Sequence, residues 1–194
     1  MQEQQPDIHF RSVTKDNWHD LETLFEETGG PKYCWCMVWR AVGDEIRNTK
    51  GKNRKKFLKK RVDTKTPVGI LAYIENKHVG WCSIAPKTTY RKLDDLKQDS
   101  HYKNIWSIVC FFIKKEFRNR GITNLLINQA VEYAKANNAD EVEAYPVDEE
   151  SPSYRFMGFV STFAKHGFDE IGKAGNRRHV MRLVIKKNNN ITVS

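Results

Sequence analysis

Two arginines and a glycine at the end of an apolar run are the residues with the plainest chemical use in this sequence. In "FFIKKEFRNRGIT" (Phe111 to Thr123) the run breaks into Arg118, Asn119, Arg120 and Gly121, and a segment with helical spacing opens at Ile122, Thr123 and Asn124. A strand that feeds a glycine turn and then a helix leaves several backbone N–H groups unpaired at the helix start, all pointing one way, and they attract anions. Arg118 and Arg120 add charge beside those donors, and Gly121 lets the backbone approach a phosphate with no side chain between. A pyrophosphate suits this chemistry. The two familiar nucleotide patterns, GxGxxG and GxxxxGK followed by Ser or Thr, are absent from the sequence, which disfavours a mononucleotide hydrolase.

The elements that must hold this junction follow from periodicity. "IHFRSV" (Ile8 to Val13) alternates as a strand, and Thr14 or Asp16 is placed to cap a helix running to about Glu27, with Trp18, Leu21, Leu24 and Phe25 on its apolar face. "TGGP" stops it. From Lys50 to Arg61, eight of twelve residues are basic, and Phe57, Leu58 and Val62 give a short basic helix one apolar edge; the charge reads as a solvated face or as an electropositive lip. Gly69 to Ile74 and Val79 to Ala85 are β-rich and joined by "ENKH" as a hairpin. Lys87 to Lys103 reads as a loop or short helix around Leu93 and Leu96. "WSIVCFFI" (Trp106 to Ile113) is a continuous apolar run, expected of a strand covered on both faces. Ile122 to Asn137 is an amphipathic helix, "EVEAY" (Glu141 to Tyr145) a strand that Pro146 ends, then a helix or loop, and Phe168 to Ile171 with His179 to Ile185 a closing hairpin. The order predicts mixed α/β architecture (α+β) with a mostly antiparallel sheet flanked by helices and one crossover through the Ile122 helix. A single domain over residues 1–187 and a polar, disordered tail over 188–194 are expected.

Composition narrows the function classes. The apolar share of 39% with dispersed aromatics suits a folded globule. A charge of +9 suits an anionic ligand, nucleic acid or a basic solvated surface, but no helix-turn-helix, RNA-binding strand motif or zinc finger accompanies the basic run, so no nucleic-acid partner is expected. The start lacks a basic and then apolar leader, and no apolar run approaches a membrane span, which points to a cytoplasmic protein with no membrane partner. Cys34 and Cys36 lack a second ligand pair at finger-like spacing, and no metal is expected.

"RNRGIT" after an apolar strand resembles the R/Q-x-x-G-x-G/A signature of the GCN5-related N-acetyltransferase (GNAT) superfamily, whose turn holds the pyrophosphate of acetyl-coenzyme A. The order of elements from about Ile8 to Ile185 resembles that superfamily's arrangement as well. Thr123 departs from the pattern, since Gly or Ala is usual there. The resemblance implies acetyl-coenzyme A as acetyl donor, held by Arg118 to Asn124, with the backbones of Phe111, Phe112 and Ile113 bonding the pantetheine arm. One N–H would polarise the thioester carbonyl as an oxyanion hole does.

The family's usual acid is a Tyr four residues before a Gly-Phe pair, and two such pairs occur: "YRFMGF" offers Tyr154, and "FAKHGF" offers Phe163. The second leads directly into the closing hairpin. Tyr154 is therefore either the acid that protonates the departing thiolate or a packing tyrosine, with water as the alternative proton source. By its place in such a fold Glu143 is the candidate base or, equally, a solvent-facing carboxylate; Asp148 and Glu149 could meet a cationic acceptor, and His101 and His166 are read as ordinary polar residues. The fold implies an acceptor pocket around "GGPKYCWCMVWR", with Tyr33, Trp35, Trp39 and Arg40. Arg40 could pair a carboxylate, and the two tryptophans are equally core residues. "GWCSIAP" and "EAYPVD" add the look of an uncharacterised bacterial-type branch, so no acceptor beyond an amine is implied. An N-acetyltransferase acting on a primary amine is the leading expectation, a noncatalytic acyl-coenzyme A binding module or sensor the alternative, and a homodimer is left open.

Overall fold

The computed structural model describes residues 7–48, 50–96 and 103–185. The expected polar tail and His101 lie outside the described residues. Seven strands form one sheet in the order β1-β2-β3-β4-β5-β7-β6, where β1 is Ile8–Ser12, β2 Ile70–Ile74, β3 Lys77–Pro86, β4 Ile105–Ile113, β5 Glu141–Ala144, β6 Asp169–Ala174 and β7 Arg178–Val184. The β4–β5 pair is parallel and all other neighbours are antiparallel. Helix α3 (Ile122–Ala136) makes the crossover between β4 and β5; α1 is Trp18–Glu26, α2 Gly51–Asp63 and α4 Val160–Lys165.

Each face of the sheet carries its own apolar layer. Leu21, Leu24 and Phe25 of α1 and Leu58 and Val62 of α2 pack on Leu71, Trp81 and Val109. On the other face Ile122, Leu126, Ile127, Ala130 and Ala134 of α3 and Phe163 of α4 pack on Ile70, Ile84 and Ile108. With both faces covered, β2 is buried at every position, which is why its sequence shows no alternation.

Local chemistry sets the turns. The β2–β3 hairpin closes through Glu75 (φ 49°) and Asn76 (φ 60°), two left-handed residues whose twist matches the flanking strands. Neither Thr14 nor Asp16 caps α1. Asn17 occupies that position and ties the incoming chain down, its Oδ1 accepting from the Thr14 amide at 2.7 Å and its Nδ2 donating to the Ser12 carbonyl at 2.9 Å. The "KYCWCMVWR" stretch is a series of turns rather than a helix, because Trp35 (φ 46°) and Cys36 (φ 49°) are both left-handed. Consecutive left-handed non-glycine residues cost roughly 1–2 kcal/mol each. Burial of the Trp35 indole against Trp18 (5.9 Å) and Phe25 (5.1 Å) offsets that cost.

One irregularity matters more than these. Ser83 faces Cys110 across the β3–β4 ladder, but Ile84 faces Ile108, so Val109 is an extra residue in β4. Val109 and Cys110 consequently turn to the same layer, and the alternation reverses, with Phe112 following Cys110 and Phe111 and Ile113 joining the opposite layer. Beyond this bulge β4 parts from β5: pairing runs only from Ile105↔Glu141 to Ile108↔Ala144.

Gly69 gives the fold a sensitive point. At φ 152° its missing side chain leaves space for the Cys82 carbonyl and for the Trp81 ring, which a Cβ would meet at 2.5 Å. Gly69→Ala is expected to destabilise the protein by about 3 kcal/mol, from strain and the displaced Trp81 together. Urea unfolding of the variant beside wild type measures this.

Candidate functional site

The parted strands place the junction residues around one opening. Val109 to Ile113 of β4 have no β5 partner, so Phe111, Phe112 and Ile113 lie on the stretch whose backbone edge faces the gap. The chain then makes a short turn at Lys115–Phe117 and reaches Gly121, which starts α3 in a left-handed conformation (φ 74°) with nothing within 4 Å of where a Cβ would stand. Among the described residues no protein group accepts from the amides of Asn119, Arg120, Gly121, Ile122 or Thr123. Five consecutive donors at a helix start suit an anion. Arg118 donates from Nε to the Ile113 carbonyl at 3.0 Å, which leaves its terminal nitrogens outward; Arg120 lies over the Phe117 ring at 5.5 Å. Thr123, half-buried, and Asn124, exposed, follow in the first turn of α3, with Asn124 Oδ1 3.2 Å from His166 Nε2.

The far side of the opening is built from the end of β5, the loop after it and the start of β7. Val147 bridges to Phe159 on one side and to Arg178 on the other. Gly158 (φ 88°) packs against Phe163 and Phe111. Phe163 is fully buried in α4, four residues before the Gly167–Phe168 pair that leads into β6. The Gly-Phe pair beside the closing hairpin is therefore the one at the helix–strand junction, and its associated position carries no hydroxyl. Tyr154 lies outside α4, in a left-handed turn (φ 60°), 37% exposed, with its ring 6.2 Å from Trp39 and 5.8 Å from the Arg178 guanidinium.

Glu143 is sealed rather than open. It is 1% exposed, its Oε2 accepts from Lys87 Nζ and from the Tyr145 hydroxyl, both at 2.7 Å, and its Oε1 accepts from Arg182 at 2.9 Å. Asp94 joins the same cluster, bonded to Lys87 at 2.9 Å and to Tyr145 at 3.0 Å, while Arg182 also pairs Glu141 at 3.1 Å. Burial alone would push the Asp94 carboxyl up, but Lys87 draws it below its ordinary value. Burial likewise works against the Lys87 ammonium, and Glu143 and Asp94 together raise it. The Tyr145 phenol is pushed well up, by burial first and then by the two carboxylates. The reading of Glu143 as a base facing substrate is thus corrected in its geometry: both oxygens are already occupied. Asp148 instead pairs His179 at 3.2 Å, and Glu149 accepts from Ser161 at 2.6 Å.

Arg40 and Trp35 are corrected too. Trp35 is 1% exposed core, and Arg40 is wholly buried, donating to the Val68 carbonyl (2.7 Å), Ser83 Oγ (2.9 Å) and the Tyr90 hydroxyl (2.6 Å). Arg40 cannot meet a substrate from there, and Trp35 only forms part of the wall of a surface cavity beside Tyr33. Burial lowers the Arg40 pKa, while Tyr90 and Cys36 support its charge. Cys36 answers it: contact with Cys110 lowers its pKa, burial opposes this, and a Trp81 N–H at 3.1 Å and Arg40 lower it further. Tyr33 is 75% exposed and lines a surface cavity of about 550 Å³ with Lys32, Lys52 and Lys55, away from any ring contact with Trp39 among the described residues. Trp39 alone of the four stands beside the opening. Among the described residues no group of three or more His, Cys, Asp or Glu could hold a metal ion, and no helix is long and apolar enough to cross a membrane.

Residues 18–168, which span the parted parallel pair and the glycine-started helix, match the acetyltransferase (GNAT) family. The chain belongs to that family. No curated protein matches it. Among solved structures it is similar to a PaiA N-acetyltransferase from Thermoplasma acidophilum in complex with coenzyme A, at 15% identity and a TM-score of 0.55, covering 92% of this chain and 99% of that one. A ribosomal-protein-alanine N-acetyltransferase from Brucella melitensis is similar at 16% identity and TM-score 0.55, over 91% and 99%. An uncharacterized protein from Bacillus halodurans reaches TM-score 0.60 at 15% identity, over 91% and 83%. These likenesses share the GNAT fold.

Lys87, Asp94, Tyr145, Arg178 and Arg182 were not singled out by sequence reasoning. The first two sit in a stretch that reads as a polar loop, and their signal is topological. Lys87→Met is expected to cost about 3 kcal/mol at pH 7, because it removes the cation shared by two buried carboxylates and leaves Asp94 with none. In wild type the lowered Asp94 value means its stabilisation is present above about pH 4 and lost as pH falls through the folded value. In the variant the stranded Asp94 carboxylate takes up a proton more readily than in the unfolded chain, so its deficit should shrink from pH 7 to pH 5. Urea unfolding at both pH values checks the sign.

Proposed function

We propose that this GNAT protein is an N-acetyltransferase that moves the acetyl group of acetyl-coenzyme A to a primary amine by direct attack on the thioester. The observation that carries this reading is the run of five unpaired amides from Asn119 to Thr123 beside the partnerless half of β4, which suits a pyrophosphate followed by an extended pantetheine arm. The PaiA N-acetyltransferase of similar fold is in complex with coenzyme A, which supports the same assignment. In this reading Arg118, Asn119, Arg120, Gly121, Ile122, Thr123 and Asn124 take the phosphates, and Phe111, Phe112 and Ile113 present backbone groups to the arm. Acetyl-coenzyme A supplies an activated carbonyl and a thiolate leaving group.

An amine of pKa ~10 must lose its proton before or during attack. The cluster at the end of β5 is the nearby group of carboxylates assigned to receive it, against the Lys87 charge that holds Asp94 below its ordinary value. Tyr145 has one hydrogen but touches two carboxylates, Glu143 at 2.7 Å and Asp94 at 3.0 Å, so an added proton completes a hydrogen bond that is otherwise missing. Glu143 then acts through Tyr145 and its neighbours, not by touching the amine. Tyr154, beside Trp39 at the opening, is the hydroxyl assigned to the thiolate. The second reading, a noncatalytic acyl-coenzyme A sensor, is favoured by one observation: Phe163 puts a buried ring where a hydroxyl would serve.

Thermal-shift titration with acetyl-coenzyme A should stabilise the protein, and Gly121→Ala should lose most of that shift; a Cβ there meets no protein atom, so the variant should fold with a penalty of about 1 kcal/mol from the left-handed φ. No shift in wild type rules out both readings. Release of coenzyme A thiol with a primary-amine panel separates them, and release with any amine removes the sensor. Tyr145→Phe should lower kcat at least tenfold with the acetyl-coenzyme A shift intact; an unchanged kcat would remove the proposed proton path.

A further inference from the structure

Resting on the N-acetyltransferase reading, we propose that the amine acceptor carries a carboxylate and that Arg178 binds it, assisted by the Trp39 indole N–H. Arg178 opens β7 and bridges Val147, just beyond the end of β5. Ligands of sheets with parallel strands gather outside the carboxyl ends of those strands, and here β5 ends beside its parted neighbour.

Among the described residues the guanidinium is held by rings and makes no hydrogen bond. It lies 4.5 Å from the Trp39 ring, 5.8 Å from Tyr154 and 6.0 Å from Tyr145. Among the described residues it has no ion pair, and its Nη1 is occluded without a partner. The carboxylate in its field, Asp94, is already bound by Lys87, Tyr145 and the Leu96 amide. Trp39 Nε1 is a second occluded donor without a partner, in the same cluster. Native structures rarely leave such donors unpaired, and two in one aromatic cluster beside an opening call for an oxygen ligand.

The planar edge of an arginine stacked on aromatic rings matches a carboxylate, which it takes through two parallel N–H bonds. The phosphates are provided for elsewhere, at the start of α3. The aromatic rings favour an acceptor whose apolar or flat body lies beside the anchored carboxylate. Arg40, the arginine that the sequence suggested for this task, is closed in the core; Arg178 is the arginine at the opening.

The test compares matched amines with saturating acetyl-coenzyme A: L-phenylalanine with phenethylamine, L-tryptophan with tryptamine, and L-lysine with cadaverine, read as coenzyme A thiol release. In at least one pair the carboxylated member should have a kcat/KM ten or more times higher. Arg178→Gln should collapse that ratio at least tenfold, mainly through KM, and Arg178→Lys, which keeps the charge but not the fork, should retain part of it. The acetyl-coenzyme A thermal shift of both variants shows whether they are folded and loaded; if Arg178→Gln does not fold, the ratio in Arg178→Lys decides. Turnover with equal or higher rates for the decarboxylated members overturns this inference and leaves the transferase reading standing. A ratio unchanged in the Arg178 variants also overturns it. No turnover with any amine, despite an acetyl-coenzyme A shift, overturns the transferase reading and this inference with it.

Discussion

The extra residue at Val109 is the constraint on which the rest of this molecule depends. A bulge consumes one residue without a partner, bends its strand and reverses which face each later side chain meets. In β4 it does all three at the point where pairing with β5 ends. A straight β4 would carry the parallel ladder onward and close the sheet. The bulged one leaves half a strand of backbone groups facing a gap, and it turns Cys110 and Phe112 toward α1 and α2 while Phe111 and Ile113 meet the layer of α3 and α4. Opening and wall are therefore made in one step.

The buried charges of β5 lie just before the parting, in the stretch still paired with β4. Glu141 and Glu143 project into one face of a sheet that helices cover, where an unpaired carboxylate would cost several kcal/mol. Lys87, Arg182 and the Tyr145 hydroxyl occupy their oxygens, and Asp94 enters because Lys87 has donors to spare. Such a cluster is held by mutual need: without Lys87, Glu143 keeps Arg182 and Tyr145, but Asp94 keeps no cation. That rigidity fixes Tyr145 and, through Val147, the start of β7 where Arg178 sits.

Much of this was legible in the sequence, and the boundary is physical. The element order, the helix from Ile122 and the turn at Gly121 were readable because periodicity and glycine placement are local signals. The bulge was not, since "WSIVCFFI" is apolar on both faces and a reversal of alternation leaves no trace in a continuous apolar run. Arg40 and Glu143 were seen as charged residues in the right segments, yet their burial depends on partners 28 to 56 positions away, such as Val68, Ser83 and Lys87. Arg178 was hidden for the opposite reason: it stood in "GKAGNRR", which reads as a turn, and only sheet order β5-β7-β6 brings it beside the opening. The two Gly-Phe pairs looked alike in sequence, and only α4 distinguishes their surroundings, with Phe163 in the core and Tyr154 outside the helix.

The two ends of the opening are built on different principles. At the start of α3 the donors belong to the main chain, and their direction depends on the left-handed conformations of Asn119 (φ 59°) and Gly121 (φ 74°) rather than on most side chains nearby. Thr123 can depart from a small residue without removing a donor. Beyond β5 the polar groups are side chains drawn from four separate segments: Trp39 from the turns after α1, Lys87 and Asp94 from the connection after β3, Tyr154 from the loop before α4, and Arg178 from β7. Substitution of Trp39, Tyr154 or Arg178 changes what such a set presents, whereas Lys87 and Asp94 also hold the buried cluster together. A chain can therefore share its architecture with proteins 11 to 16% identical to it, because the start of α3 is written in backbone geometry while the set beyond β5 is written in side-chain chemistry.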